Sequence, residues 1–336
     1  MKRHGNLFEK ITTTENIYLA YCKARKGKRW QRKVQLFEKD LDNNIENIRQ
    51  SLINKTFQTS IYQTKMIYEP KEREIFILPF APDRIVQHSL MSIIEPIWDA
   101  MMIYHNYACR KGKGIHAGSK KTMEYVRKND YCLKCDISKF YPSIDHDILY
   151  AILKKKIKCK DTLWLIKNII YSYPNGKNTP IGNYTSQWFG NMYLNELDTY
   201  IKHELKHKYY IRYCDDFCIF HNDKSVLNAA AENIELFLST RLKLSFSKCD
   251  LFPVSHGVDY LGYRHFRKYI LLRKSTAKRV KKRLAKLPLL FKKGRITKKQ
   301  FISSIASTEG WLKWANTYNF RLSLDIKNLK EVLYAA

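Results

Sequence analysis

Apolar positions along this chain fall into helix-like and strand-like runs, and the breaks between them predict its elements. Residues 1–65 read mostly as helix. From Ile61 to Leu78 the pattern turns strand-like, with Tyr62, Ile67, Tyr68, Ile75, Phe76 and Ile77 around a polar Glu69-Pro70-Lys71-Glu72-Arg73 turn. Asp83 stands where it would cap a helix running from Arg84 through Leu90. After a loop punctuated by Gly112 and Gly114, a short apolar strand, Tyr131–Cys135, ends on Asp136. Residues 144–172 read as helical, Pro174-Asn175-Gly176 and Pro180-Ile181-Gly182 as breaks, and Ser186–Leu205 as helix. Two short strands within Tyr209–Phe220 enclose Asp215-Asp216. A helix over 223–241 and strands near Leu244–Phe246, Asp259–Leu261 and Tyr269–Leu272 follow. Strands and helices are interspersed without strict alternation, which predicts an α+β sheet domain. Trp98 and Met101-Met102 read as core, and no internal repeat is visible.

Composition narrows the partner. At 336 residues and 45% hydrophobic, the chain is long enough for a large core and short for several full domains. Lys and Arg number 61 against 31 acidic residues, a net charge of +30 that implies a polyanion, most commonly nucleic acid. A membrane surface is the competing partner, but no basic amphipathic anchor and no transmembrane-length apolar run is found. The basic start Met1–Asn6 is not followed by the apolar stretch of a signal peptide, so a cytoplasmic location is expected. Lys23–Lys33 gathers seven bases around Trp30, with Arg25, Lys28 and Arg29 as candidate phosphate contacts. Between Asp259 and Glu309 no acidic residue occurs against sixteen Lys or Arg. There Val280, Leu284 and Leu287 form one helical stripe, leaving Lys278, Arg279, Lys282 and Arg283 for a duplex backbone. The eight cysteines are irregularly spaced. Cys132 and Cys135 would point to opposite faces of a strand, so free thiols are expected rather than a zinc site.

Phosphoryl transfer to a hydroxyl by two divalent cations needs carboxylates presented together at adjacent strand ends. Asp136 ends one strand, and Asp215-Asp216 lies at a hairpin tip flanked by Ile211 and by Phe217–Phe220. If those strands are neighbours, the carboxylates converge. Aspartates also favour tight turns for purely local reasons, and the pair alone would favour that explanation.

Ordered segments shift the balance toward chemistry. Cys135-Asp136-Ile137-Ser138-Lys139-Phe140-Tyr141 resembles the first catalytic motif of reverse transcriptases, and Tyr213-Cys214-Asp215-Asp216 their YxDD box. Arg110–His116, Asp83–Gln87, Leu244–Lys248 and Gly257–Tyr263 resemble further motifs of that family, collinear over residues 66–265. The resemblance implies a right-hand polymerase: fingers and palm interleaved over 66–265, a helical basic thumb over 266–336 and a basic extension over 1–65. It implies two Mg²⁺ ions held by Asp136, Ile137, Asp215 and Asp216, with Lys248 helping pyrophosphate leave. Tyr141 resembles a gate against the ribonucleotide 2′-hydroxyl, with a core tyrosine as the plain alternative. Lys71, Arg73, Arg84 and Arg110 are candidates for gripping the triphosphate, with template phosphates as the alternative for several of them, and Gly182 and Gln187 belong to the same nucleotide set.

One motif departs from the common Gln-Gly-x-x-x-Ser-Pro form. Here it reads Ile181-Gly182-Asn183-Tyr184-Thr185-Ser186-Gln187, the form associated with diversity-generating retroelements. That implies an error-prone bacterial or phage enzyme copying a template RNA from deoxynucleoside triphosphates. Its implied partners are the template RNA, the RNA–cDNA duplex and a small basic oligomeric accessory protein. Only some seventy residues follow the palm motifs, so ribonuclease H or endonuclease functions are expected from elsewhere. Physically, Ile181 offers packing where Gln would offer hydrogen bonds, which would weaken discrimination; a core residue at a turn is the alternative. A defence-type reverse transcriptase and a non-catalytic RNA-binding protein on a decayed polymerase are the rival readings.

Overall fold

The run Tyr131–Ile137 buries alternate residues on both of its faces, so it needs cover on two sides. In the computed structural model, which describes residues 3–68 and 72–331, it is a central strand. The strands are β1 (Gln63–Ile67), β2 (Arg73–Ile77), β3 (Tyr131–Ile137), β4 (Tyr209–Tyr213), β5 (Asp216–His221), β6 (Phe246–Pro253), β7 (Val258–Tyr260), β8 (Tyr263–His265) and β9 (Ile270–Leu272). They form an antiparallel pair β1-β2, an antiparallel sheet in the order β4-β5-β3-β6, and a small sheet β7-β8-β9. Strands and helices are interspersed rather than strictly alternating, an α+β architecture.

Side-chain alternation along β3 divides the interior. Leu133, Cys135 and Ile137, with Phe217 and Ile219 of β5, face the main core. Cys132, with Cys218 and Phe220, faces a second cluster containing Tyr107, Tyr125 and Tyr260. Lys134, Asp136 and Asp216 share that second face by register. None of the eight cysteines is in a disulfide.

The N-terminal helices pack into the main core through Leu7, Ile17, Tyr21 and Leu52. Asn16 ties the helix Thr14–Ala24 to the helix Ile85–Asp99 by a 2.9 Å bond to Ser89 Oγ. The C-terminal helices Lys274–Lys292 and Lys298–Leu312 have their own core of Leu284, Leu287, Phe301, Ile305 and Leu312. This unit meets the sheet domain where His116 stacks on Trp314 at 4.8 Å and Trp314 Nε1 donates to Ser119 Oγ at 2.8 Å. No helix among the described residues is long and apolar enough to cross a membrane.

Several local expectations are corrected. Asp83 does not cap a helix: its carboxylate accepts from Ser60 N and Ser60 Oγ at 2.9 and 2.7 Å, and the helix Ile85–Asp99 starts without a side-chain cap. The segment 144–172 is two helices, His146–Lys154 and Lys160–Ile170. The strand expected near 244–246 runs from Phe246 to Pro253, longer than its polar Ser247, Lys248 and Asp250 suggest, because alternate residues of this edge strand face outward.

Candidate active site

β4 and β5 are joined by two residues, Cys214-Asp215, between the directly paired Tyr213 and Asp216. So tight a hairpin loop favours positive φ, and Cys214 adopts +55°. Beneath it lies Arg212, fully buried. Its Nε and Nη2 bond both oxygens of buried Asp198 at 2.7 and 2.5 Å, and its Nη1 bonds the Cys214 carbonyl at 2.9 Å. Tyr210 donates to the same carboxylate at 2.6 Å, and Tyr260 donates to the Asp216 carbonyl at 3.0 Å. The turn is thus clamped through its own backbone.

Across the sheet, Asp136 pairs with Asp216 on one side and with Lys248 on the other. A bulge between Asp136 and Ile137 ends the regular ladder at that point, the kind of irregularity that re-aims a side chain. Ser247 Oγ donates to Asp136 Oδ2 at 2.6 Å. Ile137 is buried, which leaves only its main-chain carbonyl to offer a cation. Burial, reinforced by the Asp136 and Asp215 charges and opposed by Lys134, pushes Asp216 up to about 7. Asp215 is raised by burial and by Asp136, with Arg73 and Arg212 opposing. Asp216 Oδ1 is buried without a hydrogen-bond partner, and Lys134 Nζ stands 3.7 Å from the other oxygen.

Crowded carboxylates with an orphaned oxygen suit a hard divalent cation. Among the described residues no three His, Cys, Asp or Glu side chains stand together in a ligating arrangement. Mg²⁺ takes one or two protein carboxylates and completes its shell with water and substrate phosphates.

Tyr141 lies near enough to Cys214 and Asp215 for their charges to add to the burial that raises its phenol pKa. The helix Tyr184–Thr199 approaches it closely at Gly190, where an added Cβ would stand 3.1 Å from the Tyr141 ring and 3.0 Å from Phe140. Lys248 is exposed, 3.7 Å from Asp250. Lys71 lies outside the described residues.

Two of the candidate cations are engaged elsewhere. Arg110 is almost buried: it bonds Asp99 Oδ1 at 2.6 Å and the carbonyls of Ile103, Asn106 and Asp99, which removes it from the triphosphate set. Arg25 pairs with Glu38 at 3.1 Å and also bonds Tyr21, so it braces the N-terminal helices rather than offering a free charge. Arg29 is exposed, whereas Lys28 is half-buried beside Arg84, and burial with that neighbouring charge lowers its pKa. Lys278, Arg279 and Lys282 are exposed, and Arg283 donates to Ser304 at 3.0 Å. Arg279, Lys282 and Arg283 line, with Lys286 and Lys299, a cleft of about 1020 Å³ between the two C-terminal helices.

Gly182 takes φ +121°, and a Cβ there would meet the Phe76 carbonyl oxygen at 2.5 Å. Phe76 N in turn donates to the Ile181 carbonyl at 2.8 Å, joining β2 to this turn. Behind the turn is a cavity of about 220 Å³, lined by Gly182, Tyr184 and Gln187 and by Arg84, Gln87 and His88 of the facing helix end; Ile181 does not line it.

Sequence reasoning missed Arg212, Asp198, Gln87 and His88. For Arg212 a signal existed, one charge inside the otherwise apolar run Tyr209–Tyr213.

Comparison with known proteins follows the same stretch of chain. Residues 70–265, more than half of the 336, match the family model described as reverse transcriptase (RNA-dependent DNA polymerase). Protein YkfC of Escherichia coli K12 is 21% identical over 274 residues, covering 67% of this chain and 71% of that protein. An uncharacterized 91 kDa protein in cob intron of Schizosaccharomyces pombe is 27% identical over 129 residues, covering 36% of this chain and 16% of that protein. The group II intron-encoded protein LtrA of Lactococcus lactis subsp. cremoris is 23% identical over 175 residues, covering 49% of this chain and 29% of that protein.

Proposed function

This chain belongs to the reverse transcriptase family, and from that premise we propose that it is an RNA-directed DNA polymerase acting by two-metal nucleotidyl transfer. The observation that carries the reading is the register that sets Asp136 directly opposite Asp216, with Asp215 at the adjoining turn. In this reading residues 66–265 are fingers and palm, the C-terminal helices are the thumb, and residues 1–65 are a basic extension.

Asp136, Asp215 and Asp216, with the Ile137 carbonyl, would hold two Mg²⁺ ions. When bound, these would activate the primer 3′-oxygen and stabilise the departing pyrophosphate. The remaining work falls to side chains. Arg73, whose charge reaches Asp215, faces the triphosphate. Tyr141 closes the space a 2′-hydroxyl would need, and its phenol stays protonated through the working pH range. Lys248, opposite Asp136, meets the leaving group. The O3′–Pα bond forms as the bond from Pα to the pyrophosphate oxygen breaks. The cationic cleft of the thumb grips the duplex backbone.

The subtype proposed is the error-prone enzyme of a diversity-generating retroelement, working with a structured template RNA and a small basic accessory protein. Its support is the sequence Ile181–Gln187. Primer extension on an RNA template with Mg²⁺ tests the activity: the wild type should make cDNA, and Asp215→Ala/Asp216→Ala should make none while still binding RNA. Extension by the double variant would overturn the assignment. Sequencing that cDNA tests the subtype: errors should concentrate at template adenines, and an even, low error spectrum would exclude it.

A further inference from the structure

Behind the Ile181–Gln187 turn, the polar groups lack the partners that buried polar groups normally have. Gln87 is 2% exposed, yet its Nε2 has no hydrogen-bond partner. His88 Nδ1 is likewise buried and unpartnered, while its ring stacks on Tyr184 at 4.6 Å. The Arg84 guanidinium is half-buried, and burial lowers its pKa. Each unpartnered buried polar atom costs stability, so two beside one cavity, next to a half-buried guanidinium, mark a place completed by a ligand.

Charge narrows what that ligand is. Arg84 lines the cavity, and Lys28 and Lys23 add their fields at His88. Two carboxylates lie nearby, and both accept hydrogen bonds elsewhere, Asp83 from Ser60 and Glu95 from the Tyr184 hydroxyl, so neither takes up the cavity's donors. Burial, helped by those cations, holds His88 down to about 4, so its ring enters as a neutral hydrogen-bonding group. The cavity therefore offers donors and positive charge to an anion. At about 220 Å³ it is smaller than the roughly 300–1,000 Å³ sites that bury drug-sized ligands, and matches a group nearer a phosphodiester than a whole nucleotide.

Position separates this anion from the incoming triphosphate. Arg73, whose charge reaches Asp215, does not line the cavity. The cavity also lies at the start of the helix Ile85–Asp99, with Lys28 close to Arg84, whereas the thumb joins the body at His116, Ser119 and Tyr263. A polymerase holding its product duplex at the thumb must receive the uncopied strand elsewhere. We infer that Arg84, Gln87 and His88 form an anion site that takes a phosphodiester of the uncopied RNA template. This inference rests on the polymerase reading above and names residues that position the template rather than catalyse.

The experiment uses the full chain and a fluorescein-labelled single-stranded RNA. Gln87→Met removes the unpartnered donor at similar volume. The Kd for RNA, and the RNA concentration giving half-maximal extension, should rise about tenfold, one charge-assisted hydrogen bond's worth. Turnover at saturating RNA and the KM for deoxynucleotides should hold. The melting temperature should hold or rise, because the free protein loses an orphaned group. Arg84→Met should lower the slope of log Kd against log salt by about 1. Gln87→Glu, which places a carboxylate in the cavity, is the second variant and should weaken RNA binding further. An unchanged Kd in both Gln87 variants, a rise in deoxynucleotide KM instead, or a fall in melting temperature that tracks the affinity loss would each overturn the inference. The binding arm needs no catalysis, so a protein that binds RNA through this cavity but makes no cDNA would fail only the polymerase reading.

Discussion

Under the turn Tyr213–Asp216, Arg212 bonds Asp198 through two nitrogens and holds the Cys214 carbonyl. Beside the turn Ile181–Gln187, Gln87 and His88 line a cavity, and their buried Nε2 and Nδ1 have no hydrogen-bond partner. The first turn carries carboxylates whose position must not vary, and its supporting polar groups satisfy one another. The second borders a site whose donors await a ligand. Support that is complete within the protein gives rigidity, and support left incomplete gives recognition.

The largest expected effect breaks the first turn. Arg212→Met leaves Asp198 buried without its cation and should cost about 3–5 kcal/mol, read by urea denaturation. Adding Asp198→Leu should restore most of that stability without restoring extension, because the Cys214 carbonyl has still lost its anchor. Equal recovery of both would mean that Arg212 serves the fold and not the turn.

Next is Gly182→Ala at the second turn. A Cβ 2.5 Å from the Phe76 carbonyl, on a backbone at φ +121°, should lower stability by about 1–3 kcal/mol. It should also loosen the link between β2 and the turn. A melting temperature equal to wild type would show that β2 moves aside freely.

A smaller effect sharpens the electrostatic side. Without metal, Asp216 titrates at about 7 in the folded protein against 3.8 for the ordinary group. Below pH 4 both states are protonated and no difference arises. Between the two values the folded protein keeps a proton the unfolded chain has lost, so stability falls as pH rises and levels off above 7. Asp216→Asn should therefore be more stable than metal-free wild type at pH 8, with the gap closing toward pH 4. A gap independent of pH would contradict the assignment of that strain to the Asp216 charge.

What the sequence made legible was the part with a local signature. Asp136 ends an apolar strand and Asp215-Asp216 sits between two others, so their convergence needed only that the strands be neighbours, as β3 and β5 are. The opposite facing of Cys132 and Cys135 followed from strand period alone, and they lie in different clusters. Pairings between distant segments left no such mark. Asp83 reads as a cap, yet Ser60 claims it; Arg110 reads as a phosphate contact, yet Asp99 and nearby carbonyls consume its donors. The cavity was invisible for the same reason: Gln87 and His88 look like ordinary polar positions on a helix until the turn at Gly182 is folded against them.

The smallest effect concerns Ile181, whose carbonyl is fixed by Phe76 N while its side chain stays outside the cavity lining. Ile181→Gln should lower misincorporation at template adenines a few-fold, in keeping with one gained polar contact. An unchanged spectrum in sequenced cDNA would leave Gln187, which does line the cavity, as the one departure still to be tested for fidelity.

The division of labour between the two turns is tested most directly by single-turnover extension of one RNA template by wild type, Asp216→Asn and Gln87→Met, across a range of RNA concentrations. The Asp216 variant should lose rate at saturating RNA with its half-saturation point unmoved, and the Gln87 variant should keep the rate while that point rises about tenfold. If both substitutions moved the same parameter, the two turns would be one functional unit, and the contrast drawn between them would be wrong.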